Sequence, residues 1–353
     1  MQNDALNNVD IKDAQLIFTP EELKYQFPLS ETDQDAIGES RRTIANIIHG
    51  RDPHFLVICG PCSIHDTDAA LDYARRLKDL SAELNNQLYI VMRVYFEKPR
   101  TIVGWKGLIN DPYMDASFNI EAGLRIARSL LLKLVRMGLP LATEALDPNS
   151  PPYLGDLFSW AAIGARTSES QIHREMASGF SMPMGIKNGT DGSFVTAINA
   201  IHAAAFSHRF MGINQAGKIC LIQTHGNPDC HLILRGGNRP NYYPQDVLDC
   251  AQQMAAAGLS AALMIDCSHG NSNKDYCRQA EVAQSVLAQI KAGNRSIIGL
   301  MLESHIHAGK QSAELPREEM CYGVSVSDAC IDWKSTDSLL RQVYNELKTM
   351  RIS

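Results

Sequence analysis

Eight short runs of apolar and β-branched residues recur along the chain, and helix-like stretches separate most of them. Each run has the length of a buried strand. Strands that alternate with helices pair in parallel through right-handed crossovers, and eight such units predict a closed (β/α)8 barrel, an α/β fold. An open doubly wound sheet is the structural alternative. The runs occupy residues 55–59, 88–95, 139–143, 161–165, 182–187, 232–234, 262–266 and 297–302.

The stretches between the runs carry the spacing of amphipathic helices. Ile120, Leu124 and Ala127 recur every three or four residues. Asn119 stands where it can cap the start of this helix, and Gly138 stands where it can end it. Two later stretches follow the same pattern. A helix that ends at a glycine shortly before an apolar run is typical of α/β chains.

Several segments fall outside this repeat. Residues 1–50 precede the first strand and are expected to form an N-terminal extension with some helix at 39–49, ahead of a barrel that spans 51–353. Alternating apolar positions at about 208–225 predict an inserted β-hairpin. Residues 96–118 read as a long loop, and long loops in compact domains are often functional.

Charge and composition exclude several classes of protein. The formal net charge of −6 disfavours a general nucleic-acid binder, which normally carries a basic excess. No apolar run reaches the ~18 residues that span a membrane, and the first residues lack the basic and apolar regions of a signal peptide. Nine cysteines in 353 residues do not form a dense disulfide framework. We therefore expect a reduced, soluble, cytoplasmic protein that binds neither nucleic acid nor membrane.

Ionisable residues follow every predicted strand. In a β/α barrel the carboxyl ends of the strands meet at one rim, where chemistry takes place. A single arginine at a strand end is usually a solvated charge, but several cations in one mouth repel one another unless an anion neutralises them. We expect a pocket for a small, multiply charged anion, most simply phosphate plus carboxylate. The cations are Arg93, Lys98, Arg100, Arg166, Lys187 and Arg235.

Four further residues have the side-chain types that bind a divalent transition metal: Cys62, His269, Glu303 and Asp328. They lie far apart in the sequence, so local spacing does not indicate a metal site, and a lone Cys or His is more often a core or surface residue. Closure of a barrel would bring the first, seventh and eighth strand ends together. The metal hypothesis therefore depends on that closure.

Cys59 and Cys62 form a CxxC pattern like that of a thioredoxin-type redox site. Such a site opens a helix directly after a strand, in a domain of about 100 residues. Here Cys59 ends an apolar run in a much longer chain. We expect Cys59 to pack in the barrel and Cys62 to face its mouth.

Several motifs of the chain are long and specific: CGPCSIHD from residue 59, MRVYFEKPR from 92, GARTSESQ from 164, KNGTDG from 187, LRGG from 234 and DCSHGNSNKD from 266. They resemble those of the microbial 3-deoxy-D-arabino-heptulosonate 7-phosphate (DAHP) synthases. QNDALNNV near the N-terminus and HRFMGINQAG in the predicted hairpin resemble the tyrosine-regulated type most closely. The chain departs from the family pattern at Ile102, which replaces a threonine beside Thr101.

This resemblance implies condensation of phosphoenolpyruvate with erythrose 4-phosphate and water to give DAHP and phosphate, the first step of the shikimate pathway. It implies a divalent metal ion, Mn²⁺, Fe²⁺, Co²⁺ or Zn²⁺, held by Cys62, His269, Glu303 and Asp328. Arg100 and Thr101 match the erythrose 4-phosphate site. The residues that match the phosphoenolpyruvate site are Arg93, Lys98, Arg166, Lys187 and Arg235.

Two side chains are candidates for proton transfer in that reaction. Glu144 is placed to hold or deprotonate the water that adds to the substrate, and Lys98 to protonate the new alkoxide. As an alternative, Glu144 is a plain charge partner of the neighbouring arginines. Cys62 and His269 would take part in catalysis as metal ligands.

The resemblance also implies feedback inhibition by an aromatic amino acid that binds between subunits of a homodimer or homotetramer. It gives the N-terminal extension a regulatory or oligomerisation role. A serine replaces Gly212 in the phenylalanine-sensitive type, and glycine leaves room for a phenol hydroxyl, so tyrosine is the expected inhibitor. Each matching residue could equally be ordinary core. They are Asp147, Pro148, Pro151, Met176, Phe180, Ser181, Phe210, Gly212 and Ile222.

Two other functions compete with this one. A sister synthase that acts on arabinose 5-phosphate would share the barrel and phosphoenolpyruvate, but the Lys-Pro-Arg-Thr loop, the extension and the predicted hairpin argue against it. A non-catalytic anion-binding barrel would keep the arginines but would not need the four candidate metal ligands.

Overall fold

The computed structural model describes residues 10–100 and 104–352. Its strands in chain order are β1 (Phe55–Gly60), β2 (Leu88–Arg93), β3 (Leu141–Glu144), β4 (Trp160–Ile163), β5 (Met184–Lys187), β6 (Arg209–Ile213), β7 (Ile219–Gln223), β8 (Cys230–Leu234), β9 (Leu263–Asp266) and β10 (Ile297–Glu303). Eight of them form a closed parallel barrel in the order β1-β10-β9-β8-β5-β4-β3-β2. Because β1 pairs with both β2 and β10, the open sheet is excluded and the (β/α)8 barrel is confirmed.

The helices in chain order are α1 (Pro20–Gln26), α2 (Glu31–Ile48), α3 (Thr67–Leu84), α4 (Ile120–Arg136), α5 (Pro151–Leu154), α6 (Gln171–Gly179), α7 (Phe194–Ala205), α8 (Pro244–Ala256), α9 (Gln279–Lys291) and α10 (Trp333–Ile352). The Asn119 side chain caps α4 by accepting a hydrogen bond from the Ala122 N–H, as the sequence predicts. Among the described residues, no helix combines the length and apolar character that a membrane crossing needs.

The barrel interior is a packed apolar core. Trp160 fills much of its centre and is fully buried beside Ile233. Gly185 on the neighbouring strand makes room for both, because a Cβ atom there would collide with each of these side chains. A second, larger apolar core lies between the strands and the surrounding helices. Rigid strands therefore hold the residues at the barrel mouth.

The N-terminal extension contains more helix than the predicted 39–49 segment. Helix α2 begins at Glu31, because Ser30 and Asp33 cap it reciprocally through their side chains and backbone N–H groups. Its apolar residues Ile44 and Ile47 pack against the barrel interior. The polar sequence before residue 39 concealed this helix start, although the capping pair was present in the sequence.

The inserted hairpin is confirmed. Strands β6 and β7 pair antiparallel, with Met211 opposite Leu221 and Gly212 opposite Cys220. The turn contains Gly217 with φ +71°, which glycine adopts at little cost.

Candidate active site

Three potential metal ligands meet at the carboxyl-terminal end of the barrel. Cys62 follows β1, Glu303 ends β10, and Asp328 lies in the segment before α10. Their ligand atoms all lie within 4.8 Å of one another. His269 faces the same point, since its Nε2 lies 3.7 Å from Glu303 Oε1 and 3.9 Å from Asp328 Oδ2. A thiol, an imidazole and two carboxylates form a donor set that fits a divalent transition metal ion.

The Cys62 thiol is fully buried. Burial raises its pKa, and the nearby Glu303 carboxylate adds to that effect. A divalent cation at this point would favour the thiolate instead, because coordination deprotonates a thiol. The donor atoms are therefore suited to a cation.

Asp266, the last residue of β9, holds two candidate site residues at once. One of its oxygens, Oδ2, accepts from His269 Nδ1 at 2.8 Å and from Lys187 Nζ at 2.9 Å. When Nδ1 donates this bond, the lone pair of Nε2 is free to face the other candidate metal ligands, Cys62, Glu303 and Asp328. Burial alone would raise the pKa of Asp266, but His269 and Lys187 hold it well below its usual range. Asp266 therefore stays ionised and links His269, a candidate metal ligand, to Lys187, a cation expected to bind phosphoenolpyruvate.

Arg93 and Lys98 contact two of the candidate metal ligands. Arg93 donates to Glu303 Oε1 at 3.0 Å and is 1 % exposed. Lys98 donates to both the Sγ and the carbonyl oxygen of Cys62, each at 3.1 Å. Carboxylates of the protein thus neutralise part of the positive charge at the mouth, because Glu303 pairs with Arg93 and Asp266 with Lys187.

The cation after β8 lies in a firmly held loop. The Arg235 N–H donates to Asn188 Oδ1 at 2.8 Å, and the Asn188 side chain also donates to the Gly236 carbonyl oxygen at 2.9 Å. Burial lowers the pKa of Arg235; Asp266 opposes this effect and the neighbouring Arg166 cation adds to it. The Arg166 and Arg235 guanidinium groups are therefore close enough for their positive charges to repel each other.

Of the two residues expected to bind erythrose 4-phosphate, the structure describes Arg100, and it does not bring Arg100 to the cluster. Arg100 is exposed, and its Nε donates to the Trp105 carbonyl oxygen at 2.6 Å. Thr101 lies outside the described residues. Of the Lys-Pro-Arg-Thr stretch, Lys98 is the residue that the structure places at the cluster.

Glu144 ends β3 and is half-buried at the same rim. Gly164, which follows β4, leaves the space that its carboxylate occupies, because a Cβ atom at Gly164 would collide with Glu144 Oε1. A larger residue at the first position of the GARTSESQ motif would therefore require the Glu144 side chain to shift.

The residues matched to the inhibitor site lie around α5, α6 and the hairpin. Pro151 and Phe180 line one cavity. Phe210 and Ile222 pair across the hairpin, and a side chain at Gly212 would collide with Ile222. At the base of the hairpin, Ser178 of α6 and Thr224 bond through their hydroxyls at 2.8 Å. Asp147 and Pro148 precede α5, Met176 lies within α6, and Ser181 follows α6.

Sequence reasoning gave no role to three residues of the site. Asp266 was recognisable only as an ionisable strand end, and Tyr95 as an aromatic residue near Arg93. Gln279 gave no signal, because it opens α9 far along the chain. Its side-chain amide bonds to both the N–H and the carbonyl oxygen of Glu303, each at 2.9 Å, and so holds the end of β10.

The CxxC cysteines do not form a redox pair. Cys59 is buried toward α3, where its sulfur lies 3.2 Å from the Tyr73 hydroxyl, while Cys62 faces the mouth. All nine cysteines of the chain are free thiols.

The chain is similar to known proteins along nearly its whole length. The model of the DAHP synthetase I family matches residues 26–341. The Tyr-sensitive phospho-2-dehydro-3-deoxyheptonate aldolase of Escherichia coli (strain K12) is 69% identical over 347 residues, which is 98% of each chain. The Phe-sensitive enzyme of the same strain is 51% identical over 99% of each chain.

A solved structure of similar sequence has the same fold. The structure of phospho-2-dehydro-3-deoxyheptonate aldolase from Francisella tularensis SCHU S4 superposes with a TM-score of 0.94 at 44% identity, covering 96% of this chain and 99% of that one. The family match spans most of the chain, including all eight barrel strands and the residues that converge at their ends. The chain belongs to the DAHP synthetase I family.

Proposed function

We propose that the chain is a DAHP synthase, which condenses phosphoenolpyruvate with erythrose 4-phosphate and water and releases phosphate, as the first step of the shikimate pathway. The observation that carries this proposal is the convergence of candidate metal ligands and cations at one end of the barrel. Cys62, Glu303 and Asp328 meet there, next to Arg93 and Lys98. A non-catalytic anion binder would need only the cations.

The reaction requires positive charge and two proton transfers. The enol carbon of phosphoenolpyruvate attacks the aldehyde carbon, positive character develops at the carbon that bears the phosphate ester, and water adds there. The resulting hemiketal expels phosphate. Arg93, Lys98, Arg166, Lys187 and Arg235 bind phosphoenolpyruvate, whose phosphate and carboxylate suit guanidinium and ammonium groups. Arg100 and Thr101 bind erythrose 4-phosphate.

Lys98 and Glu144 move the protons. Lys98 Nζ lies within hydrogen-bonding distance of Cys62 Sγ, so it is close to where the aldehyde oxygen becomes an alkoxide beside the cluster. Glu144 stands at the end of β3, where it can hold or deprotonate the attacking water.

Cys62, His269, Glu303 and Asp328 would hold a divalent ion, and the thiol among these donors favours Mn²⁺, Fe²⁺, Co²⁺ or Zn²⁺ over Mg²⁺. When bound, such an ion supplies Lewis acidity toward the aldehyde oxygen and orients that substrate. Asp266 orients His269 toward the ion through the 2.8 Å bond to Nδ1.

A substrate panel tests the function. We expect phosphate release from phosphoenolpyruvate with erythrose 4-phosphate and little with arabinose 5-phosphate, because the Lys-Pro-Arg-Thr loop belongs to the erythrose type. Phosphate is measured with each aldose phosphate and with none. Release only with arabinose 5-phosphate would favour the sister synthase, and release with neither would contradict the proposal.

We also propose that tyrosine inhibits the enzyme, and the matched residues around the hairpin support this proposal. Gly212 shapes this region, because any side chain there would displace Ile222. The relative at 69% identity is described as Tyr-sensitive, and the relative at 51% as Phe-sensitive. Tyrosine would bind near Asp147, Pro148, Pro151, Met176, Phe180, Ser181, Phe210, Gly212 and Ile222.

One contact connects this region to the active-site loop. Glu97, the neighbour of Lys98, accepts a hydrogen bond from the Ser150 hydroxyl at 3.1 Å. Burial, together with the nearby Asp147 carboxylate, raises the pKa of Glu97 to about 8. An inhibitor that moves the 147–151 segment would therefore disturb the loop that carries Lys98.

Titration with aromatic amino acids tests the regulatory site. We expect tyrosine to inhibit at a concentration at least ~10-fold lower than phenylalanine or tryptophan. A Gly212→Ser variant should lose that preference while keeping uninhibited turnover, and Gly38→Ser in helix α2 is the control. Equal inhibition of the wild type by all three amino acids would contradict the Gly212 argument.

We also propose that the chain forms a homodimer or homotetramer in the cytoplasm. One face of the hairpin exposes Met211, Ile219 and Leu221, which are 82%, 79% and 73% exposed. Adjacent exposed apolar side chains of this kind are typical of an interface. The N-terminal extension, residues 1–50, would contribute to assembly or regulation. Light scattering measures the mass directly, and a monomer at all concentrations would contradict this proposal.

A further inference from the structure

Tyr95 lies among the charged residues of the barrel mouth, two residues after the end of β2. Its side chain is buried, at 1% exposed. The Arg93 guanidinium carbon lies 3.7 Å from the centroid of the Tyr95 ring, and the Lys98 ammonium lies 5.9 Å from it. The ring is therefore held next to two cations assigned to phosphoenolpyruvate.

Buried hydroxyl groups normally have a hydrogen-bond partner, and the hydroxyl of Tyr95 has none among the described residues. It is shielded from solvent, yet it has no hydrogen-bond partner within residues 10–100 and 104–352. By contrast, the buried Tyr73 hydroxyl donates to Ser304 Oγ at 2.9 Å. Burying a polar group without a partner destabilises a fold, so such a group in a substrate pocket points to a ligand atom as its partner.

Several charges at the barrel mouth act on this hydroxyl. They belong to Glu144, Asp266 and Glu303, which end three different strands, and to Arg93. Burial raises the pKa of Tyr95 although Arg93 opposes that effect, so the phenol keeps its proton and acts as a donor. An acceptor oxygen of a bound anion would complete this arrangement.

We propose that the Tyr95 hydroxyl donates a hydrogen bond to an anionic oxygen of phosphoenolpyruvate bound beside Arg93 and Lys98. Tyr95 is thereby a further substrate-binding residue. This inference rests on the proposed function, because it takes phosphoenolpyruvate as the anion. The proposal also explains why this hydroxyl has no partner in the protein. Burying it unpaired destabilises the substrate-free enzyme, and the hydrogen bond to the bound substrate offsets that destabilisation.

The Tyr95→Phe variant removes the hydroxyl and keeps the ring. We expect the Kd of phosphoenolpyruvate, measured by calorimetry with Mn²⁺ present, to rise ~10- to 100-fold, with KM following it. The KM of erythrose 4-phosphate should change less than ~3-fold. The melting midpoint without ligands should stay the same or rise, because the variant loses a buried polar group that has no partner.

Tyr153→Phe is the matched control, since the Tyr153 hydroxyl donates to the Phe18 carbonyl oxygen at 2.9 Å. It should melt at a lower temperature and bind phosphoenolpyruvate normally. Unchanged phosphoenolpyruvate affinity in Tyr95→Phe would overturn the inference, and so would a lowered midpoint, which would reveal a partner within the protein. A wild type that releases no phosphate would refute the proposed function, whereas an active wild type with a normal Tyr95→Phe variant refutes only this inference.

Discussion

Removal of the divalent metal ion is expected to abolish turnover, and Mn²⁺ or Fe²⁺ is expected to restore it. Cys62, Glu303 and Asp328 bring their ligand atoms within 4.8 Å of one another, and a bound cation would favour the thiolate of Cys62 beside the two carboxylates. A Lewis acid contributes several kcal/mol to such a reaction, so the loss should be at least ~10²-fold. Phosphate release is measured after chelation and again after each metal is added back.

Two cysteine variants give this experiment a control. Cys62→Ser replaces the proposed thiolate ligand, so half-maximal activity should require a metal concentration at least ~10-fold higher. Cys277 is exposed and should be replaceable by serine without effect. Full turnover of the metal-free protein, or identical metal titrations of both variants, would contradict the metal assignment.

Replacement of Lys98 by alanine should lower kcat by ~10²- to 10⁴-fold, the range for loss of a proton donor. The Lys98 ammonium lies 3.1 Å from Cys62 Sγ, beside the candidate metal ligands. Lys98→Arg separates two roles of the ammonium. Arginine keeps the charge but cannot readily give up its proton, so it should restore the affinity for phosphoenolpyruvate without restoring kcat.

Lys106→Ala is the matched control for Lys98, because Lys106 is an exposed lysine on the same loop. It should keep both kinetic constants. A Lys98→Ala enzyme with normal turnover would remove the proposed proton donor, and recovery of kcat by Lys98→Arg would reduce the role of Lys98 to electrostatic binding.

The architecture was predictable because its signals are local. Each barrel strand is a short apolar run bounded by turn residues, and the alternation of Met211, Ile213 and their neighbours predicts the hairpin. The start of α2 was missed because its first turns are polar, and only the capping pair Ser30 and Asp33 marks the boundary. Hydrophobic periodicity reveals a helix by its buried face. The first turns of α2 are polar, so this signal is weak there.

The chemistry of the site was predictable only in part. The residue types at the strand ends indicated cations and metal ligands, but not how they pair. The ion pairs Arg93–Glu303 and Lys187–Asp266 join strands far apart in sequence, so only barrel closure reveals them. The two hydrogen bonds from the Gln279 side chain to the Glu303 backbone were also not predictable, because they depend on how α9 packs against β10.

A crystal structure of the protein with Mn²⁺ and phosphoenolpyruvate, with data recorded at the manganese absorption edge, tests the central claim most directly. We expect one anomalous peak per chain, bound by Cys62, His269, Glu303 and Asp328, with phosphoenolpyruvate contacting Arg93 and Arg235 beside it. Manganese at any other position, or phosphoenolpyruvate away from those arginines, would contradict the proposed site.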